Sequence, residues 1–480
     1  MPKFIGNNYE NFLLSGIFGQ IFITIKGFCF MSKDIRIKKG LNINLVGAAE
    51  PTTSKAALSN VYAINLSDFH GLTPKMLLKE GAEVKAGEPI FYNKKVESMM
   101  FVSPVSGELI EIERGARRRI LTLKILADKK QEFITHKTLE IDKVSAAEVK
   151  GFLLQAGCWP FIKQRPYDLI ADPDSTPKAV FISGFNTGPL AANLEYVLAG
   201  KEKELQAALT ALGKLTPGSV HVSVSAAGSS IFSQMEGIEL HKVKGPHPAG
   251  LVGTQINKID PINKGERVWT VGAADLVIIG EALLTGKFNA ERLIALAGSS
   301  IKKPQYYKTK IGAEVATFLY ASGVNDKNFR VINGDVLTGS KTRQDGHLGF
   351  YNSTVTAIPE GDDYELFGWN KPVFDKISTT RALTFHWLQP NKKYDLDTNT
   401  NGEHRAFVVT GQYEEVFPLD IYPLQLLKAC MVQDLDEMEQ LGLYEVIPED
   451  FSLTEFICIS KQPHQQIIRE GLDLLHKEIG

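Results

Sequence analysis

Two glycine-rich strings have the residue types of a phosphate-binding loop. "GPHPAGLVGTQI" (245–256) carries Gly245, Gly250 and Gly253 with His247 between two prolines, and "GFNTGP" (184–189) carries Gly184 and Gly188. Glycine lets backbone N–H groups close on an anion, most effectively at a helix start. Neither string is G-x-G-x-x-G, and no acidic residue ends the following strand to hold a ribose, so dinucleotide binding is not expected. Pro246 and Pro248 also remove two donors that a phosphate cradle would use. His247 therefore suits a structural or interface hydrogen bond better than metal ligation. "TGSKT" (338–342) lacks the preceding P-loop glycine, and Asp362–Asp363 follows Pro359-Glu360-Gly361, so both read as turns. No G-x-S-x-G, H-E-x-x-H or Walker loop occurs. Cys29, Cys158, Cys430 and Cys458 are far apart, which excludes a zinc ribbon or a cysteine-held cluster and fits a reduced compartment. No metal-binding set is expected.

The elements that must position these residues read as several domains. The 480 residues carry 53 basic and 55 acidic side chains, net -2, which excludes a broad nucleic-acid footprint. Residues 1–30 stand apart: "NFLLSGIFGQIFITIKGFCF" is apolar but broken by Gln20, Lys26 and glycines. It reads as a leader outside the fold, a mis-assigned start before Met31 or a disordered segment, with a membrane anchor as the sharper alternative. Residues 31–128 alternate short strands and glycine turns. There "EGAEVKAGEPI" and "SPVSGELIEI" resemble the biotinyl/lipoyl barrel-sandwich. "ESMM" (97–100) has Met100 where the acylated lysine of a carrier stands, so the fold is expected without the carrier chemistry, Lys94 and Lys95 remaining as candidates for modification.

Residues 140–262 have a Rossmann-like α/β texture. "KAVFISG" and "SVHVSVS" read as strands, Pro189 as a first-turn helix residue, and 201–215 as a helix. Residues 263–345 suit a β-grasp, SLBB-like module, with a helix over 289–298 capped by Asn289 and stopped by Gly298. Residues 301–390 read as strand-rich. The remaining C-terminal region, 346–480, is mixed, with helical segments at 420–443 and 463–478. The fold class is α+β and multi-domain.

Several strings in this order, among them "IRIKKGLNINLVG", "SPVSGELIEIERGARR", "GCWPFIKQRPY", "GPHPAGLVGTQI", "NGDVLTGSK" and "TNGEHRAFVVTGQYEEVFPLDIYPLQLL", resemble the A-subunits of the Na+-translocating NADH:quinone oxidoreductase (Na+-NQR) family from Met31 to Gly480. The resemblance implies a peripheral protein on the cytoplasmic side of the bacterial inner membrane. Its partners would be the other subunits of the pump, chiefly the membrane-embedded ones, and the flavins and the iron–sulfur cluster would belong to those partners. No cofactor is expected on this chain, and quinone is the candidate ligand. The middle domains also resemble the flavin-binding subunit of complex I. In that relative the first βα loop carries a carboxylate beside the flavin, whereas this chain has Asn186-Thr187-Gly188-Pro189. Gly184, Gly188, His247, Gly250 and Gly253 therefore read as degenerate cofactor loops kept for shape.

A quinone site needs aromatic faces, apolar walls, donors for two carbonyl oxygens and a proton source. "LSDFHGL" (66–72) offers Phe69, His70 and Asp68, and "CWPFIKQRPY" (158–167) offers Trp159, Phe161 and Tyr167 with Lys163 and Arg165 close in sequence. The competing reading is that Trp159 and Phe161 pack an inter-domain seam while Arg165 pairs with a carboxylate. "ERGARRR" (113–119) reads as an intersubunit surface, with anionic lipid headgroups as the alternative. Two other classes stay open: a flavin- or nucleotide-binding dehydrogenase subunit of the complex I flavoprotein type, and a biotin or lipoyl carrier.

Overall fold

The computed structural model describes residues 33–55, 58–325, 328–362 and 365–479. The expected leader over 1–30 lies outside the described residues, as does Asp363. Four sheets and a C-terminal helical group make up the described part. The barrel-sandwich has one sheet of Val61–Asn65, Ile120–Ala127, Gly107–Arg114 and Glu83–Val84, and a second of Pro74–Met76, Pro89–Asn93 and Val96–Val102. Glycines punctuate it where the backbone must turn: Gly107 takes a φ of 155° against the Leu126 carbonyl, a place with no room for a Cβ.

The α/β sheet runs in the order Asp34–Arg36, Glu239–Lys244, Val220–Ser225, Val180–Ser183, Val268–Val271, Ile162–Arg165, Leu169–Ile170. Its inner strands are apolar runs because helices cover the sheet. The helices Glu202–Lys214 and Ala273–Thr285 pack closely: Gly280 faces the Glu204 carbonyl at a distance no Cβ could share. The β-grasp sheet is ordered Ser340–Thr342, Phe329–Asn333, Thr354–Pro359, Glu291–Ala297, Gln305–Lys310, Glu50–Lys55. The chain therefore contributes its first described strand to the α/β sheet and its second to the β-grasp sheet before entering the barrel-sandwich. The helices Pro423–Val432, Leu435–Gln440 and His464–Glu478 form a separate core around Leu426, Phe451 and Leu472, and Ser452–Ile457 packs through Leu453 and Ile457 on a second one with Leu45 and Tyr413.

Three local expectations are corrected. Residues 291–297 form a strand, not a helix. The run is paired on both sides, with Gln305–Lys310 and with Thr354–Pro359, and a short apolar run has no period that separates the two states. The helix of this region lies earlier, at Ala273–Thr285, and ends at Gly286 in the left-handed conformation. Pro189 sits in a loop, because Asn193 is the cap: its side chain accepts the Glu195 and Tyr196 N–H groups and starts the helix at Leu194. The strands of the 301–390 stretch end at Pro359. Beyond it, among the described residues, short 3-10 turns at Gly368–Asn370 and His386–Leu388 and single β-bridges of Val373 with Thr384 and of Tyr394 with Leu45 interrupt irregular chain before Gln412–Val416.

Candidate functional site

Loop Phe69–His70 and segment Trp159–Tyr167 come together at a seam of the barrel-sandwich, the α/β domain and the β-grasp module. Phe69 meets Phe101 and Phe350 edge-on, both with ring centroids 4.9 Å apart, and Phe161 stacks on Phe350 at 4.7 Å. Trp159 meets Trp269 edge-on at 5.4 Å, and its indole N–H donates to the Ala171 carbonyl at 2.7 Å. Phe69, Trp159 and Phe161 are buried in one continuous core. The void between Ile64, Phe69, Phe101, Val102, Gly157, Pro160 and Phe350 measures about 10 Å³, room for a single water.

Charges ring this seam. Asp68 accepts the Phe350 N–H at 2.8 Å, and burial pushes its carboxyl up to about 6. Lys163 lies over the Tyr351 ring at 4.5 Å and 3.6 Å from Asp168. Arg292 and Asp275 form a buried pair at 2.5 Å, and Arg292 also donates to the Tyr351 carbonyl. His70 is exposed and bonds Asp473 through Nε2 at 2.7 Å, which ties the barrel-sandwich to the last helix.

Arg165 and Tyr167 face a different neighbour. The Arg165 guanidinium is 1% exposed and donates to Asp450 Oδ2 at 2.7 Å and Glu449 Oε1 at 2.9 Å. Asp450 Oδ2 also accepts the Ile447 N–H at 2.9 Å. The Tyr167 ring lies 4.7 Å from that of His476, and its carbonyl accepts from Arg469 at 2.6 Å. Of the six residues, Phe69, Trp159 and Phe161 form a closed aromatic seam, Arg165 makes a buried ion pair to the helical group, Tyr167 packs on His476 of the last helix, and His70 is exposed. Asp68 was read in the sequence beside Phe69 and His70, whereas Asp275, Arg292, Tyr351, Asp450 and Asp473 were not singled out. Asp275 and Arg292 meet each other across 17 residues, and the rest meet partners hundreds of residues away, which no local pattern records.

The two glycine loops lie against each other. The Gly250 N–H donates to Thr187 Oγ1 at 3.0 Å, and Thr187 Oγ1 lies 3.1 Å from His247 Nδ1. His247 is buried, and burial lowers its pKa below the usual imidazole range. A Cβ on Gly188 would press on Asp335, one on Gly184 on the Phe232 ring, and one on Gly253 on the Asp450 carboxylate and Arg165 guanidinium. Gly253 opens the helix Val252–Ile259, so the chain's own carboxylate and guanidinium occupy the space beside that helix start. The arginine hairpin is exposed: among the described residues Arg114, Arg117, Arg118 and Arg119 make no ion pair.

Three domain-family models match in succession: "NqrA N-terminal barrel-sandwich hybrid domain" over residues 35–128, "NqrA second alpha/beta domain" over 144–288, and "NQRA C-terminal domain" over 293–344. The A-subunit of the Na(+)-translocating NADH-quinone reductase of Neisseria meningitidis serogroup A is 37% identical over 448 residues, spanning 92% of this chain and all of the relative. The chain belongs to the A-subunit family of the Na(+)-translocating NADH-quinone reductases. Other A-subunits of this reductase are similar at the same coverage of this chain. That of Serratia proteamaculans is 35% identical over 450 residues and matched over its whole length, and that of Rhodopirellula baltica is 35% identical and matched over 98%. Among solved structures, an NAD+-reducing [NiFe]-hydrogenase in its air-oxidized state matches 48% of this chain and 52% of its own at 13% identity, with a TM-score of 0.32, too low to support an argument. Among the described residues of this reductase component, no helix is long and apolar enough to cross a membrane.

Proposed function

We propose that this chain is the peripheral scaffold of a sodium-pumping NADH:quinone reductase, docked on the cytoplasmic side of the membrane-embedded subunits. In this reading the flavins and the iron–sulfur cluster belong to those partners, and the chain performs no redox step alone. One observation carries it: the residue types that would suit a quinone or a flavin are turned inward and used to join domains. Trp159 and Phe161 fill the seam, Arg165 neutralises Asp450, and the loops at Gly188 and Gly253 close on Asp335 and Asp450.

A second role, contact with quinone, is supported at one place, the exposed His70–Asp473 pair beside Asp68 at the rim of the seam. Quinone would meet the chain there, in the assembled complex, and the imidazole would hold the proton that a quinol oxygen needs.

The test begins with the isolated full chain. Scaffolding predicts a colourless protein whose tryptophan fluorescence shows no saturable response to a quinone analogue, and whose affinity tag retains the membrane subunits in detergent extracts. Stoichiometric flavin absorbance, or a saturable quench abolished by Trp159→Phe, would overturn it. The rim contact predicts that His70→Gln in the assembled reductase raises the KM for quinone and leaves NADH oxidation by an artificial acceptor unchanged. An unaltered KM would remove it.

A further inference from the structure

On the second and third strands from one edge of the α/β sheet, away from the seam and the glycine loops, three metal-ligating side chains converge. His221 lies on the strand Val220–Ser225, and Glu239 and His241 lie two residues apart on the neighbouring parallel strand, with His221 paired to Glu239 and Ser223 to His241. Two-residue spacing along a strand puts Glu239 and His241 on one face, and the pairing brings His221 to the same face. His221 Nδ1 is 3.0 Å from His241 Nε2 and 3.3 Å from Glu239 Oε2, and the three ligating atoms lie within 4.8 Å of one another. Zinc bonds of about 2.0–2.1 Å at tetrahedral angles place ligand atoms about 3.3 Å apart, so the first two separations already match.

The Lys33 N–H donates to His241 Nδ1 at 3.3 Å, so in neutral His241 the proton sits on Nε2 and is given to His221 Nδ1. His221 Nδ1 then has no proton for Glu239, and its lone pair faces carboxylate oxygen Oε2. Three electron-rich atoms share one proton. Both histidines are buried, so water does not screen that conflict, whereas a cation at the centre removes it. Glu239 is already oriented, because Ser219 Oγ donates to its other oxygen at 2.5 Å. Such outer partners commonly fix a ligating carboxylate. The charges nearby are engaged elsewhere: Lys33 Nζ donates to the Ile259 carbonyl at 2.8 Å, and Asp260 pairs with Lys178 at 2.8 Å.

We propose that His221 Nδ1, His241 Nε2 and Glu239 Oε2 bind a divalent cation of the zinc class, water completing the tetrahedron. Two imidazoles and a carboxylate favour zinc over calcium or magnesium, which prefer all-oxygen shells. On binding, the His241 proton moves from Nε2 to Nδ1 with no net proton released, and the Lys33 N–H, which would then meet a second donor, must part from Nδ1. The site sits at the N-terminal ends of parallel strands, opposite the crevice where such sheets bind substrates. It is a staple of the sheet edge that carries strand Asp34–Arg36. Cysteine spacing and zinc motifs could not have shown it, since its ligands come from two strands joined only by sheet register.

The experiment uses the full chain, stripped with chelator and dialysed against zinc, with bound metal measured by elemental analysis and cobalt substitution read in the visible spectrum. One zinc per chain and the intense d–d bands of tetrahedral cobalt are expected. Glu239→Gln and His221→Gln should each lower zinc affinity at least ~10-fold, since even outer-partner losses cost ~10–100-fold, while His70→Gln leaves it unchanged. Far-UV circular dichroism in chelator confirms that the variants fold. Should a variant fail to fold, zinc-dependent shifts of the two histidine ring signals in the unaltered protein decide the matter. Less than stoichiometric zinc, octahedral cobalt, unmoved ring signals, or equal affinity in folded Glu239→Gln would each overturn the site.

Discussion

Replacing Asp450 by asparagine removes the negative charge that Arg165 faces and changes little else in size. The guanidinium and carboxylate are both almost wholly buried, with 2.7 Å between NH1 and Oδ2. Charge centres about 4 Å apart attract by about 4 kcal/mol at an effective dielectric near 20. Breaking such a pair from one side costs about 3–5 kcal/mol, because the remaining charge is left in a poor solvent. Glu449 stays in place at 2.9 Å and is one-third exposed, so it retains part of the compensation. The expected loss is therefore at the lower end, about 3 kcal/mol. Arg165→Met alone should cost a similar amount by stranding Asp450. The double variant Arg165→Met/Asp450→Asn should recover most of the loss, since two neutral groups need no pairing. Urea unfolding of the full chain, followed by tryptophan fluorescence and circular dichroism together, supplies the three free energies if the two probes coincide. A single-variant loss below about 1 kcal/mol, or strictly additive losses, would refute the claim that this pair holds the helical group to the α/β domain.

Other outcomes follow from the same geometry. Asp68 has a raised folded-state pKa, so the native state holds its proton more tightly than the unfolded chain does. Stability should fall as pH rises from about 4 to about 6 and level off above that. Asp68→Asn should flatten this part of the profile and add on the order of 2 kcal/mol at pH 7, as read by denaturant unfolding across pH. Gly280→Ala forces the helices Glu202–Lys214 and Ala273–Thr285 apart at the Glu204 carbonyl and should cost about 1–3 kcal/mol, measured as a lower thermal midpoint. Phe161→Ala opens the aromatic seam and should cost about 3–5 kcal/mol in the same assay. His70→Ala, at an exposed ion pair, should change stability by less than about 1 kcal/mol.

Much of the layered organisation could be read locally. A β-branched apolar run showed the strand Val180–Ser183, alternation the strand Val220–Ser225, apolar periodicity the helix Glu202–Lys214, and glycine turns the barrel-sandwich. Reading failed where two periods coincide, as at 291–297, and where a cap outweighed a proline, as at Asn193. The candidate site was legible as residue types and illegible as arrangement. Nothing local to Arg165 names Asp450, and nothing local to His70 names Asp473. His221, Glu239 and His241 are spaced plainly on their strands, yet only the pairing of those strands makes them a set.

The strand Asp34–Arg36 has its partner at Glu239–Lys244, and Glu50–Lys55 has its partner at Gln305–Lys310. On the ribosome both strands therefore emerge long before anything they can pair with. The α/β sheet stays incomplete until residue 271 has left the exit tunnel and the β-grasp sheet until residue 359 has, and such open edges are sites of mispairing. A newly made chain is thus exposed to aggregation for most of its synthesis, and slow translation before residue 359 should lower the yield of folded protein more than slow translation after it.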